Sequence, residues 1–405
     1  MKFLKKFLLW LVIIIASVTA LLYIFDVDYL IKAVRVVYLN GHTTAFLSDY
    51  EYFDNREIKN GTAQPWALHK DYNKVKATRR LEEVHKELGT VAYLIIKNDS
   101  IWHESYYDGY GSDSKSNSFS MAKTVVTTAM FAAIQEGKIK SLDQPVSDYF
   151  PEFGKGKAAK LTVGDLSSMS TALDWGEQYS SPFSITTRAY FGGHLWDTML
   201  DVEIKKDKEG NELEPGTEFE YVSGATELLA MVITKATGQT LSDYVSDKFW
   251  KPMGMEHGAL WQLDKEDGIE KAYCCIGSNA RDFARFGKLL KHHGNWNGTQ
   301  VIDSAYVQKM ITPKFPESPQ YGYGVWLHDY LGKQMYYLRG HLGQFVIVIP
   351  EDDLVIVRLG HKKGLQTDTD PHSNDFYVYV DEAYKMMGMM KPEEGRGNGL
   401  AMTAP

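Results

Sequence analysis

The hydrophobic pattern divides the chain into an apolar leader, an irregular stretch and a long region of alternating strand and helix signals. Residues 7–25 form an uncharged run, Phe-Leu-Leu-Trp-Leu-Val-Ile-Ile-Ile onward. At ~1.5 Å per residue this run spans roughly 28 Å as a helix, close to the thickness of a bilayer's hydrocarbon core. Residues 26–75 are aromatic-rich and polar without firm periodicity, and read as a stalk or wrapping extension. Helical spacing then predicts an amphipathic helix over 75–88, with Leu81, Val84 and Leu88 on one side and Gly89 as its stop. Two strands follow, 90–97 and 101–107, joined by a turn at Asn98-Asp99-Ser100. A mostly apolar helix covers 121–136 and ends at Gly137. Between 140 and 300 short helical patterns alternate with loops, 240–250 and 280–293 being the clearest. Four β-rich segments come next, 323–328, 335–339, 344–349 and 354–359, with tight turns such as Pro350-Glu351-Asp352-Asp353. A helix over 374–387 closes the region.

Strands at both ends with helices between them predict an α+β fold. One antiparallel sheet is built from N- and C-terminal parts, flanked by helices, with a mainly helical region inserted and one N-terminal transmembrane helix in front. The expected organisation is a basic cytoplasmic end at 1–6, an anchor at 7–25, the extension at 26–75, a catalytic domain at 76–390 and a disordered tail at 391–405.

Composition changes this picture in three places. With 405 residues, 18 Phe, 25 Tyr and 9 Trp, the chain has ample material for a large core. The net charge of −8 is spread along the chain, and the one dense basic cluster is Lys2, Lys5 and Lys6, so no nucleic-acid partner is expected. Those lysines precede the apolar run and predict a cytoplasmic N-terminus with the rest exported. Val18-Thr19-Ala20 resembles a signal-peptide cleavage site, but Leu21-Leu22-Tyr23-Ile24-Phe25 prolongs the apolar stretch and favours an uncleaved anchor. The two cysteines, Cys274 and Cys275, are adjacent; neighbours in sequence rarely satisfy disulfide geometry, so they read as small buried apolar residues.

Candidate chemistry lies in three stretches. In Ser120-Met121-Ala122-Lys123, helical spacing puts the amine on the same face as the hydroxyl. A lysine among apolar side chains loses solvation, which favours its neutral, basic form and lets it activate a serine. Ser112-Asp113-Ser114-Lys115 has the same spacing but sits in a polar loop. The second stretch runs from Pro215-Gly216-Thr217 to Tyr221-Val222-Ser223-Gly224, where a turn delivers a phenol and a hydroxyl ahead of a helix. Tyr38-Leu39-Asn40 and Tyr179-Ser180-Ser181 are shorter matches that lack this setting. The third is Gly340-His341-Leu342-Gly343-Gln344, leading into an apolar strand. Glycine there lets a substrate approach the backbone, and the N–H groups of Gln344 and Ser120 are the expected oxyanion donors. His292-His293-Gly294 shares the spacing but reads as a helix end.

A serine–lysine helix, a tyrosine turn and a His-x-Gly strand, in that order, resemble the three-part signature of penicillin-recognising serine enzymes. Pro252-Met253-Gly254-Met255 resembles the class C β-lactamase and esterase branch, and Cys274-Cys275 followed by Ala280-Arg281-Asp282-Phe283 resembles the 6-aminohexanoate-dimer hydrolase subgroup. The resemblance spans roughly residues 77–390. It implies acylation of Ser120 by a small ester or amide, with Lys123 and Tyr221 moving the proton. It also implies Ser223, His341, Gly343 and Gln344 around the substrate, joined by Trp175 and Tyr190 from the 167–194 region. No metal or organic cofactor is expected. Ser223 stands where many relatives carry asparagine, and His341-Leu342 where β-lactamases carry lysine and threonine. Leu342 lacks the hydroxyl that helps hold a β-lactam carboxylate, and His341 would be only partly charged near neutral pH. Both departures disfavour a β-lactamase or D,D-peptidase; a slow penicillin-binding or sensor protein is the other alternative. There is no Gly-x-Ser-x-Gly elbow, and His103-Glu104 lacks the second histidine of a metalloprotease.

Overall fold

The apolar runs from the two ends of the catalytic region become neighbours in one sheet. In a computed structural model, which describes residues 2–179, 181–367 and 369–402, the sheet has seven strands. These are β1 (Ala67–Leu68), β2 (Thr90–Lys97), β3 (Ser100–Tyr106), β4 (Trp326–Tyr330), β5 (Lys333–Gly340), β6 (Gln344–Ile349) and β7 (Leu354–Gly360). Their order is β4-β5-β6-β7-β2-β3-β1. The seam between the two ends of the sequence is the β7–β2 pair, with Leu354 opposite Lys97 and Arg358 opposite Tyr93. All pairs are antiparallel except the last, where the short β1 runs parallel to β3, so the sheet is mixed at that edge.

Helices cover both faces. The ranges used below are α1 (Lys2–Ile24), α2 (Tyr29–Val36), α3 (Arg79–Glu87), α4 (Ala122–Gln135), α5 (Ser223–Thr237), α6 (Ala280–Lys291) and α7 (Asn374–Met386). Successive strand residues point to opposite faces. Thus Val355 of β7 meets α6 at Gly287, whereas Arg358, three positions on, points to α7 and lies over the Tyr379 ring. The helical insertion follows β3: α4 and α5 pack against each other, and α4 is buried from Ala122 to Ala133.

The stretch before the domain is structured against it. Residues 49–58 include the strand Asn55–Ile58, which pairs with Ala259–Gln262 in a second sheet completed by Ile276–Ser278 and Ser116–Asn117. The buried Asp49 accepts hydrogen bonds from Asn117 and Gln262, both at 2.9 Å, and from the Tyr190 hydroxyl at 2.6 Å. Among the described residues α1 is the one helix long and apolar enough to cross a membrane, and none of its residues is buried.

Three local expectations differ from the structure. The helix over 240–250 is α-helical only to Val245 and continues as a π turn, Ser246–Trp250. The strand placed at 323–328 begins at Trp326. Residues 391–402, read as a disordered tail, lie along α7: the Gly397 N–H donates to Asp381 at 2.6 Å and Arg396 pairs with Asp370 at 2.7 Å. The acceptors are distant in sequence, so composition alone does not reveal them.

Each buried imidazole takes stability from the fold as the pH falls. His85 is pushed down to about 3 by burial and by Arg358. His372 is pushed down to about 3 by burial and by its neighbour His328. An unfolded imidazole takes its proton near pH ~6.5. Below that pH the unfolded chain binds protons that the folded chain refuses, so stability is complete above ~6.5 and falls as the pH drops toward ~3. Each group contributes at most about 1.4 kcal/mol per pH unit. Buried carboxylates such as Glu227, pushed up by desolvation, act in the opposite direction, so a variant is needed to isolate the imidazole. Urea unfolding in detergent solution should show that His85→Phe reduces the stability lost between pH 7 and pH 5 by about 1–2 kcal/mol. An unchanged loss would contradict a neutral, buried His85.

Candidate active site

The site forms where the second sheet delivers the chain into α4. Ser118 donates its N–H to Ile276 O at 2.8 Å and accepts from Ile276 N at 3.1 Å through its Oγ. These bonds tie the residues just before the candidate nucleophile to the strand Ile276–Ser278. Phe119 then takes a left-handed conformation, φ +46°. That costs a non-glycine residue about 1–2 kcal/mol. The Phe119 N–H is held by Asn117 Oδ1 at 2.9 Å, and the Phe119 carbonyl by the Ser118 hydroxyl at 3.0 Å. Ser120 follows in a single 3-10 turn, Phe119–Met121, so it presents its hydroxyl outward from the start of α4 and caps no helix.

Lys123, one turn on, is 2% exposed. Its Nζ donates to Ser120 Oγ at 3.1 Å and to Tyr273 O at 2.7 Å. It also lies 5.2 Å from the centre of the Tyr221 ring. Tyr221 reaches this position because residues 216 and 220 are pinned to the insertion: Gly216 N–H donates to Ser170 O at 2.6 Å and Glu220 N–H to Met169 O at 2.8 Å. Ser223, at the start of α5, is held by Glu177: its N–H donates to Oε1, and its Oγ donates to Oε2 at 3.1 Å.

His341, Leu342 and Gly343 form a 3-10 turn between β5 and β6, with Leu342 at φ +63° and Gly343 at φ +78°. Buried Arg358 holds this turn: Nη1 donates to Leu342 O, Gly343 O and Lys362 O, each at 2.9 Å, and Nη2 to Leu88 O at 2.9 Å. A Cβ on Gly343 would lie 2.6 Å from Arg358 Nη1, so the glycine admits the guanidinium. His341 stacks on Tyr179 at 5.6 Å and meets the Phe119 edge at 5.5 Å. Burial and nearby Lys363 push it down to about 4, which corrects the expectation of a partly charged imidazole: at neutral pH it carries no charge.

Two cavities meet at Ser120. One, about 420 Å³, is walled by Ser120, Ser223, Tyr273, Cys274 and His341 together with residues of α2. The other, about 100 Å³, is lined by Ser120, Tyr221, Gly340, His341, Arg339 and Lys363. The structure therefore gathers Ser120, Lys123, Tyr221, Ser223, His341 and Gly343. Two expected contacts, Trp175 and Gln344, differ, and Tyr190 lines the larger cavity as expected. Trp175 is 1% exposed and lines neither cavity; its indole packs where a Cβ on Gly224 would come within 2.5 Å, so it is a packing residue. Tyr190 gives its ring to the larger cavity, but its hydroxyl is committed to Asp49. Gln344 is fully buried, and its amide bridges Gly360 O at 2.7 Å, Gly360 N–H at 2.9 Å and His341 O at 3.0 Å, away from both cavities.

Cys274 and Cys275 are buried as expected, but they are paired with each other as a vicinal disulfide, which corrects the expectation that neighbours do not pair. Cys275 sits at φ +82°, an unusual backbone conformation that general rules of disulfide spacing do not anticipate. Sequence reasoning also missed Glu177, Arg358 and the Tyr273 carbonyl, each of which acts through a partner far away in the chain. Gly340 leaves no room for a side chain beside the turn: a Cβ there would stand 2.2 Å from Ser118 O. Gly340→Ala must push β5 away from the nucleophile turn. We expect kcat/KM for p-nitrophenyl acetate to fall at least about tenfold, beyond any loss of folded protein measured by thermal unfolding. Unchanged kcat/KM would show that this close approach does not position the site.

Known proteins share this arrangement of elements. A 6-aminohexanoate-dimer hydrolase of Paenarthrobacter ureafaciens is 27% identical over 239 residues, which are 57% of this chain and 59% of that protein. The chain thus spans less than two thirds of that relative's length. A 6-aminohexanoate-dimer hydrolase-type protein of Bacillus anthracis superimposes with TM-score 0.71 at 22% identity, covering 85% of this chain and 94% of the other. The D-amino acid amidase of Ochrobactrum anthropi SV3, complexed with L-phenylalanine amide, has the same fold with TM-score 0.54 at 17% identity, over 76% of this chain and 95% of the other. From Thr78 at the head of α3 to Phe376 in α7, a span that holds every residue gathered at Ser120, the sequence matches the Beta-lactamase family, and the chain belongs to that family.

Proposed function

We propose that the chain is a serine hydrolase that cleaves a small ester or amide through an acyl-enzyme on Ser120. The observation that carries this reading is the buried Lys123 amine 3.1 Å from Ser120 Oγ. On this reading Ser120 Oγ attacks the substrate carbonyl carbon while its proton passes to the Lys123–Tyr221 pair. The oxyanion accepts a hydrogen bond from the N–H of Ser120, and Gln344, the second donor expected from the sequence, lines neither cavity. Collapse breaks the bond to the leaving alcohol or amine, which receives the proton back from Tyr221. Water then attacks the acyl-Ser120 ester, gives one proton to the same pair, and releases the acid and the free hydroxyl.

Uncharged His341 and the hydroxyl-free Leu342 lack the lysine and threonine contacts through which β-lactamases hold a β-lactam carboxylate, which leaves Arg339 and Lys363 as the cations beside Ser120. The altered strand motif supports an ester or amide substrate over a β-lactamase role. The names of the relatives, a dimer hydrolase and an amidase, point to amides. We also read α1 as an anchor, with Lys2, Lys5 and Lys6 on the cytoplasmic side and the catalytic domain exported.

Ser120→Ala should lower kcat/KM for p-nitrophenyl acetate by at least about a thousandfold, and Tyr221→Phe by about a hundredfold or more. Intact mass during turnover should show only a transient acyl adduct. A Ser120→Ala protein as active as wild type would remove Ser120 from the mechanism. A stable stoichiometric adduct without turnover would replace hydrolysis by a sensor role.

A further inference from the structure

The larger cavity at Ser120 is not walled by the catalytic domain alone. Leu30, Ala33, Val34 and Val37 line it, at positions i, i+3, i+4 and i+7 of the segment that begins with α2. That spacing makes one continuous stripe on a helix. Tyr29, Ala33 and Val36 are buried, while Lys32 and Arg35 lie on the face turned away, lining a separate cavity. The Tyr29 hydroxyl donates to Pro182 O at 3.1 Å and Arg188 pairs with Asp26, which holds the segment over the site. The rest of the lining mixes Phe119, Tyr190 and Phe191 with Thr43, Thr44, Ser181, Thr186 and Thr187, so the continuous apolar wall is the α2 stripe. The stripe does not close: Val34 remains 47% exposed and Tyr38 62% exposed at the rim. At about 420 Å³ the space falls in the range of small-molecule sites, and it opens on the Ser120 hydroxyl.

The other side of the nucleophile has the opposite character. Arg339 and Lys363 line the small cavity with Ser120 and Tyr221, and neither forms an ion pair among the described residues. A substrate bound across Ser120 therefore meets apolar side chains on one half and cationic ones on the other. Only four residues separate the end of α1 from the start of α2, which keeps the apolar mouth close to whatever surface α1 enters.

We propose that the acyl half of the substrate is a long hydrocarbon chain laid along the α2 stripe, with the polar leaving group toward Arg339 and Lys363. This rests on the acyl-enzyme reading of Ser120 and departs from its small acyl group: the substrate is a long-chain acyl ester or amide, an amphiphile. The acyl chain is held by burial of its methylenes against Leu30, Val34 and Tyr190, and its carbonyl carbon reaches Ser120 Oγ.

The test uses the full chain in detergent and two probes, p-nitrophenyl acetate and p-nitrophenyl octanoate, the latter below the concentration at which it forms micelles. Octanoate should give kcat/KM at least about tenfold above acetate, because each further buried methylene adds binding. Val34→Asp, which puts a carboxylate in the stripe, should cut the octanoate-to-acetate ratio at least about fivefold. Ile31→Asp, on the same helix and outside the stripe, should keep the wild-type ratio. A ratio at or below one, or a ratio that Val34→Asp leaves alone or Ile31→Asp lowers equally, overturns the proposal. Ser120→Ala run on both esters separates the two readings. Loss of both activities with a flat chain-length profile rejects the long acyl chain and keeps the serine mechanism, whereas retained activity rejects the mechanism itself.

Discussion

The site depends on one buried amine. Lys123 has its amine held between the Ser120 hydroxyl and the Tyr273 carbonyl, inside a helix whose other residues from Ala122 to Ala133 are buried and mostly apolar. An amine removed from water is tolerated only where its hydrogen bonds are made. The same two bonds that satisfy it aim it at Ser120 Oγ, so on the proposed mechanism the condition for burying Lys123 and the condition for activating Ser120 are met by one geometry. The segment that supplies the carbonyl is fixed in turn: the Trp261 indole donates to Cys274 O at 2.9 Å, and the two cysteines close on each other.

Around this contact the fold works by joining distant parts of the chain. The nucleophile turn is tied to the strand Ile276–Ser278, and the His341 turn is tied through Arg358 to the start of β2 and the loop after β7. Arg358 Nε also donates to Thr90 Oγ1 at 3.2 Å, so one buried side chain links the sheet's seam to the substrate side of the site. Left-handed Phe119 and Leu342 each lie in a turn of the site, where the surrounding hydrogen bonds outweigh their backbone cost. The segment before the domain completes the enclosure, since Asp49 anchors Tyr190 and α2 roofs the larger cavity.

Much of this was legible in the sequence because it follows from periodicity. The bounds of β2 and β6 match the expected strands, and α4, α6 and α7 start and stop within a few residues of where apolar spacing and glycine place them. The positions of Ser120, Lys123 and Tyr221 follow from spacing plus order along the chain. What stayed hidden depends on partners distant in sequence. Glu177 holds Ser223 from 46 positions away, and nothing local marks it. Trp175 looked like a ligand contact because aromatic side chains serve both purposes, and only the missing Cβ of Gly224 shows that it packs. The neutrality of His341 is a product of burial, which composition does not report. The irregular residues 26–75 gave no periodic signal over a useful length, because α2 is a single short helix of 8 residues.

The most direct test of the account is where a covalent probe lands and what that depends on. Fluorophosphonate-treated protein, digested and mapped by tandem mass spectrometry, should carry its adduct on Ser120, and Lys123→Met should abolish labelling while the protein remains folded by circular dichroism. An adduct on Ser112 or another serine, or labelling of Ser120 at the wild-type rate without the Lys123 amine, would contradict the claim that this buried amine makes the nucleophile.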